Sequence, residues 1–160
     1  MDARPDARLE AETIDYIALR RLQNRYADVV TRRAWPELTT LFLPDAKVVI
    51  DRRNVEPLVL HGPAAVGDFI SGAIDHFDLF EFVILNTVMD IEGDRARTRL
   101  YMWEVRHDPA AGRSDAFGLY QDEHRRIEGR WWFSGRRYQT LARTQVADLS
   151  VFPLQIGGDR

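Results

Sequence analysis

The 160-residue chain predicts one α+β domain, with N-terminal helices packed against a highly curved antiparallel sheet to enclose an apolar pocket. Three observations predict it. Apolar residues recur at helical spacing through the first part of the chain, and from Phe80 onward the period falls to two. The later strands are joined by tight turns rather than by helical crossovers, which argues against a dinucleotide-binding βαβ fold.

The first helix spans about 9–30, where Ile14, Ala18, Leu22, Tyr26 and Val29 or Val30 form an apolar stripe opposite Arg20, Arg21, Asn24 and Arg25. A second, shorter helix starts at Trp35-Pro36-Glu37, because proline suits a first helical turn. It buries Leu38, Leu41 and Phe42 and ends at Pro44. Residues 46–50 and 58–60 read as short strands around a polar excursion at 51–54. Gly62-Pro63 opens a third helix with Val66, Phe69, Ile70 and Ala73 inward.

Strands at 80–91, 96–107, 114–127 and 131–142 then form a meander through turns at 92–94, 108–112 and 128–130. Gly118 and Gly135 are candidate positions for bulges or sharp bends. The strand beginning at Phe80 is apolar on both faces. One face is therefore expected under helices or a cavity and the other against a second subunit, as a homodimer or homotrimer. The folded domain is assigned to 9–144. The tail, 145–160, carries Val151, Phe152 and Leu154 and is expected to pack over the pocket or a partner.

Composition narrows the function classes. With no cysteine, disulfides and thiolate metal sites are impossible. A net charge of −3 argues against a nucleic-acid partner. No stretch approaches the ~20 apolar residues that cross a bilayer, and the start lacks the apolar run of a secretory signal, so a cytoplasmic protein without membrane contact is expected. There is no phosphate-cradling glycine motif. His61, His76, His107 and His124 form no short-range ligand cluster, and Ser71 sits in no nucleophile elbow. Neither a cofactor nor a metal is expected, and a pocket that binds a small hydrophobic molecule or moves its protons fits the residues best.

Candidate residues follow from the strand and helix faces. Glu104 closes the alternate set Ala96, Thr98, Leu100 and Met102; an apolar setting would raise its carboxyl pKa and suit it to general acid or base work. Tyr26 lies on the inner stripe of the first helix, where its hydroxyl can polarise a substrate oxygen. Tyr120, Asp122 and His124 share one strand face, and His124 is a second candidate proton carrier. Asn86 shares a face with Phe82, Ile84 and Val88, so an amide that orients substrate would sit among hydrophobic neighbours that exclude water. Arg137 is a candidate contact for a substrate oxygen. Catalytic roles thus fall to Tyr26, Glu104 and His124, and substrate contacts to Phe82, Asn86, Tyr120 and Arg137.

Three blocks carry a family resemblance: 25–27 with Trp35-Pro36-Glu37-Leu38 and 41–46; Asn86 with 91–96; and 118–122 with Gly129-Arg130-Trp131. They resemble the SnoaL-like branch of the NTF2-like superfamily, whose relatives include polyketide cyclases, scytalone and bile-acid dehydratases and ketosteroid-isomerase-like proteins. The resemblance implies a cone-shaped fold with a deep pocket, and a tyrosine on the first helix that cooperates with a histidine; Tyr26 stands at the tyrosine position. Thr31 stands where the branch commonly has an acid, and Phe82 where it often has the histidine.

The expected activity is that of a cofactor-independent lyase or isomerase acting on a small hydrophobic ketone or hydroxylated polycyclic compound. Dehydration, isomerisation and cyclisation are all uses of the same enolate chemistry. The alternatives are a noncatalytic small-molecule binding protein and an oligomeric accessory protein whose pocket has filled with side chains.

Overall fold

The computed structural model describes residues 7–53, 55–145 and 148–151. A long helix, α1 (Ala7–Arg32), is followed by a 3₁₀ turn (Trp35–Thr40), β1 (Phe42–Ile50), β2 (Leu58–His61) and α2 (Gly62–Ile74). Then come β3 (Leu79–Glu92), β4 (Arg95–Asp108), β5 (Gly112–Ile127), β6 (Arg130–Gln145) and β7 (Asp148–Val151). The expected second helix is only the 3₁₀ turn. Pro44, which was to terminate it, lies inside β1, where the pairing with β6 slips between Phe42 and Lys47 and a residue without an N–H is tolerated.

The strands run in the order β2-β1-β6-β5-β4-β3, with β7 also on β6. This corrects the expected highly curved, all-antiparallel sheet. The sheet is mixed, because β1 pairs with β6 in parallel while the other pairs are antiparallel. It is also open, with β2 and β3 at the two ends of the path rather than curled into contact. Hairpin logic predicts antiparallel neighbours along the meander but is blind to a pairing between the two halves of the chain. The expected packing of the tail over a pocket or partner lies outside the described residues beyond the backbone of β7.

One face of the sheet carries the core. Leu19, Leu22, Tyr26, Val29 and Val30 of α1 pack on Phe80 and Phe82 of β3, Leu100 and Met102 of β4, Tyr120 of β5 and Phe133 of β6. Each of these side chains contributes roughly 1.5–3 kcal/mol when removed from water. The inner stripe of α1 begins at Leu19; Ile14, expected on it, is 66% exposed.

Three bulges decide which residues face inward. Leu85 is the extra residue where Ile84 pairs with Met102 and Asn86 with Tyr101. Ser134 is extra where Glu123 pairs with Gly135 and His124 with Phe133, and Leu141 where Gly118 pairs with Thr140 and Phe117 with Ala142. Each bulge reverses the alternation beyond it.

The α2–β3 turn is pinned at both sides. The Arg33 guanidinium donates to the carbonyls of Ile74 and Phe77, and His107 Nδ1 lies 2.6 Å from Asp78 Oδ1. That turn carries His76 and Phe77 to the edge of the site.

Candidate functional site

α2, the end of α1 and the inner face of the sheet surround a cavity of about 830 Å³. Apolar walls come from Val30, Val66, Phe69, Ile70, Phe80 and Phe82, and polar groups converge from Tyr26, Glu104, Arg106, Tyr120, Arg136 and Tyr138. The lining also includes Asp51, Arg52, His76, Asp108, Arg113 and Arg143, so apolar walls meet a strongly polar rim, as suits a small organic molecule that carries polar groups. The cavity also excludes the expectation of a pocket filled by side chains.

Glu104 is the carboxylate of this polar end. It is half-buried and faces inward, following the buried Ala96, Thr98, Leu100 and Met102 in an alternation that Arg106 continues. Burial raises its pKa to about 7, although Arg106 and Arg143 pull the other way. The nearest cation, Arg106 Nη1, stands 3.7 Å from Glu104 Oε2 and is too far for a hydrogen bond. The carboxylate is thus poised between its two protonation states near neutral pH.

Tyr26 and Tyr120 meet over a buried cation. Their ring centroids are 6.0 Å apart, edge to face. The Arg136 guanidinium carbon lies 4.0 Å from the Tyr26 ring centre and 4.2 Å from that of Tyr120, with Phe133 at 4.5 Å. Arg136 Nε and Nη2 donate to Asp122 Oδ1 and Oδ2 at 2.6 and 2.9 Å, a bidentate pair closed off from water. Burial alone would pull Arg136 down, but Asp122, Tyr26 and Tyr120 outweigh it and hold the guanidinium charged. Burial raises both phenols above the usual tyrosine value, and the Arg136 charge opposes that rise in each. Both hydroxyls therefore remain protonated donors at the cavity wall.

His124 is buried but stands apart from the cavity lining. It ends a polar chain beneath α1: Arg20 Nη1 donates to Thr87 Oγ1, which donates to Gln23 Oε1, while Gln23 Nε2 donates to Thr98 Oγ1, which lies 3.0 Å from His124 Nε2. Gln23 thus fills one lone pair of Thr98, and the Thr98 proton has Nε2 as its acceptor when the imidazole is the Nδ1–H tautomer. Nδ1 has no partner among the described residues. Burial pulls the His124 pKa down to about 4, with Asp122 opposing and Arg136 adding to the fall.

Because the folded value is below the unfolded one, His124 contributes stability that is present above about pH 6.5 and lost as pH falls towards 4, on the order of 3 kcal/mol. Urea unfolding of wild type and His124→Gln across that window is expected to show a flatter acid limb in the variant. Superimposable pH profiles would contradict this.

The remaining expected contacts divide in the same way. Phe82 and Tyr120 line the cavity; Asn86 and Arg137 do not, and both are exposed. The Leu85 bulge turns Asn86 outward and puts Thr87 on the inner side, so the anticipated set Phe82, Ile84, Asn86 and Val88 does not share a face. The Ser134 bulge turns Arg136 and Tyr138 inward and Arg137 outward. Arg136 and Tyr138 are lining residues that strand alternation alone overlooked, and the glycine at 135 was the available sign of the shift; Arg106 follows Glu104 in the unbroken alternation of β4 and could have been named from it.

Gly118 makes room for this arrangement. A Cβ there would stand 2.6 Å from Tyr138 Cε2, 2.9 Å from Met102 Sδ and 3.2 Å from the Gln139 carbonyl oxygen. Gly118→Ala is expected to cost roughly 1–3 kcal/mol through overpacking, read as a lower urea midpoint at unchanged slope. An unchanged midpoint would show that the ring and thioether yield freely.

An N-terminal helix over a mixed sheet, with a polar-ended apolar cavity between them, defines the class of small-molecule pocket proteins built on the NTF2-like fold. Within it the chain belongs to the family of the SnoaL-like domain, whose model matches residues 11–137. No curated protein matches significantly.

Solved structures share the fold at low identity. A protein of Novosphingobium aromaticivorans provisionally described as a scytalone dehydratase superposes with a TM-score of 0.78 at 18% identity, covering 94% of this chain and 99% of that one. The hexachlorocyclohexane dehydrochlorinase LinA-type3 of Novosphingobium barchaimii gives 0.75 at 16%, covering 89% and 97%. A protein of N. aromaticivorans provisionally described as an aromatic ring hydroxylase gives 0.68 at 21%, covering 88% and 94%. Names this diverse on one scaffold leave the reaction to be argued from the site.

Proposed function

We propose that the protein is a lyase that needs no cofactor and acts on a small hydrophobic ketone or hydroxylated polycyclic compound, with Glu104 as its acid–base group. The observation that carries this reading is a carboxyl near pKa 7 in an apolar cavity that also holds the Tyr26–Tyr120 pair above a buried cation. The Glu104 carboxylate takes a proton from the carbon next to a carbonyl. The C–H electron pair becomes a C=C bond, and the carbonyl pair moves onto oxygen as an enolate. Hydrogen bonding from the tyrosine pair stabilises that enolate by several kcal/mol when the donors are already oriented.

Collapse of the enolate expels a β-hydroxyl, which leaves as water with the proton that Glu104 returns. Return of the same proton to a different carbon would instead give an isomer. The dehydratase and dehydrochlorinase names among the relatives by fold are both names for eliminations and support this class.

A noncatalytic binding protein is the second reading. It is favoured by Thr31 and Phe82 standing where the family resemblance implies an acid and a histidine, with Thr31 Oγ1 accepting the Phe82 backbone N–H at 3.1 Å. Incubation with unsaturated ketones and hydroxylated polycyclic compounds in deuterated water separates the two. Protein-dependent deuterium uptake or loss of water supports the lyase, whereas tight binding with neither supports the binder.

A further inference from the structure

The hydrogen-bond directions at the far side of the cavity lead to one more donor. Arg143 Nη2 donates to Thr140 Oγ1 at 3.3 Å, and Thr140 Oγ1 donates to the Tyr138 hydroxyl at 3.2 Å. A guanidinium has only donors, so the first direction is fixed. Thr140 is fully buried, and its own proton has no acceptor among the described residues except the Tyr138 oxygen. Reversing the second bond would strand that proton without a partner, at a cost of about 1–3 kcal/mol. Tyr138 therefore accepts from Thr140 and keeps its own proton to give away.

Nothing among the described residues takes that proton. The Tyr138 ring is held by close contacts on several sides: it sits where Gly118 has no side chain, beside Met102, and its centroid is 5.0 Å from that of Tyr120. Tyr138 and Glu104 both line the cavity. Burial and the neighbouring Glu104 push the Tyr138 pKa up to about 12, so the proton stays on the phenol as pH rises through the neutral range.

We propose that Tyr138, oriented by the Arg143–Thr140 chain, donates a hydrogen bond to a carbonyl or phenolic hydroxyl oxygen of the ligand, and so selects apolar molecules that carry such an oxygen over hydrocarbons of the same shape. This deepens the reading of the cavity as a ketone or hydroxylated-polycycle site and rests on it. Thr140 and Arg143 are positioning residues.

The test compares 2-naphthol with naphthalene by fluorescence titration of the whole protein. Wild type is expected to prefer the naphthol. Tyr138→Phe is expected to weaken naphthol binding about tenfold while naphthalene stays within about twofold, since one donor and no wall is removed. Thr140→Val is expected to lose part of the preference, and Thr140→Ser to restore it.

A preference that survives in Tyr138→Phe overturns the proposal and leaves the cavity reading standing. So does an equal loss of both ligands, which would mark Tyr138 as packing only, and so does a wild type that binds the two alike. If neither compound binds wild type, the cavity reading itself falls and takes the proposal with it.

Discussion

Glu104→Gln is expected to lower kcat/KM for any accepted substrate by at least about 100-fold, the usual loss when a general base is removed. The isosteric amide keeps the packing, so the loss reports proton transfer rather than shape. In wild type, activity is expected to rise with pH through about 7 and then level off, because the carboxylate is the reactive form.

The same substitution should stabilise the protein at alkaline pH. A carboxyl whose folded pKa is raised from 4.5 to about 7 contributes stability that is fully present below 4.5 and lost as pH rises through 7. A neutral amide escapes that loss. Lower activity combined with a higher melting temperature at pH 8 would mark Glu104 as a group held in place for function. A variant that retains exchange activity would remove Glu104 from the mechanism.

Asp122→Asn should have the largest effect on stability. It leaves the Arg136 guanidinium charged inside a cage of rings with no counter-ion, a situation that costs about 3–5 kcal/mol. At roughly 2–4 °C per kcal/mol for a chain of this size, the melting temperature should fall by on the order of 10 °C. Replacing both members, as in Asp122→Leu with Arg136→Met, should cost much less than the sum of the single changes, because the penalty lies in the stranded charge. Additive losses in that cycle would show that the pair is not coupled.

The Glu104 carboxyl and the second half of the α1 stripe were legible because uninterrupted periodicity reports burial directly: β4 runs from Ala96 to Glu104 without a bulge, and Tyr26 shares the α1 stripe with Leu22 and Val29. Asn86 was misplaced because the Leu85 bulge has no glycine or proline to announce it. Arg137 was misplaced by one residue for the same kind of reason at Ser134, although Gly135 hinted at a break.

His124 illustrates a different limit. Its face was read correctly, since Tyr120, Asp122 and His124 are all buried on the inner side. Alternation does not say how far along that face a cavity extends, and α1 covers the strand beyond Tyr120. The parallel β1–β6 pair had no signal at all, because register between distant segments is set by packing rather than by local pattern.

That parallel pair has a kinetic corollary. The four-strand meander can assemble from neighbours in sequence, whereas seating Phe42 beside Phe133 requires the two halves of the polypeptide to find each other across a long loop. The binding chamber has no wall on that side until they do. Refolding should therefore yield a hairpin-rich intermediate before any competence to hold ligand, and a ligand present during refolding should act on the last step alone, slowing escape from the native state more than it hastens arrival.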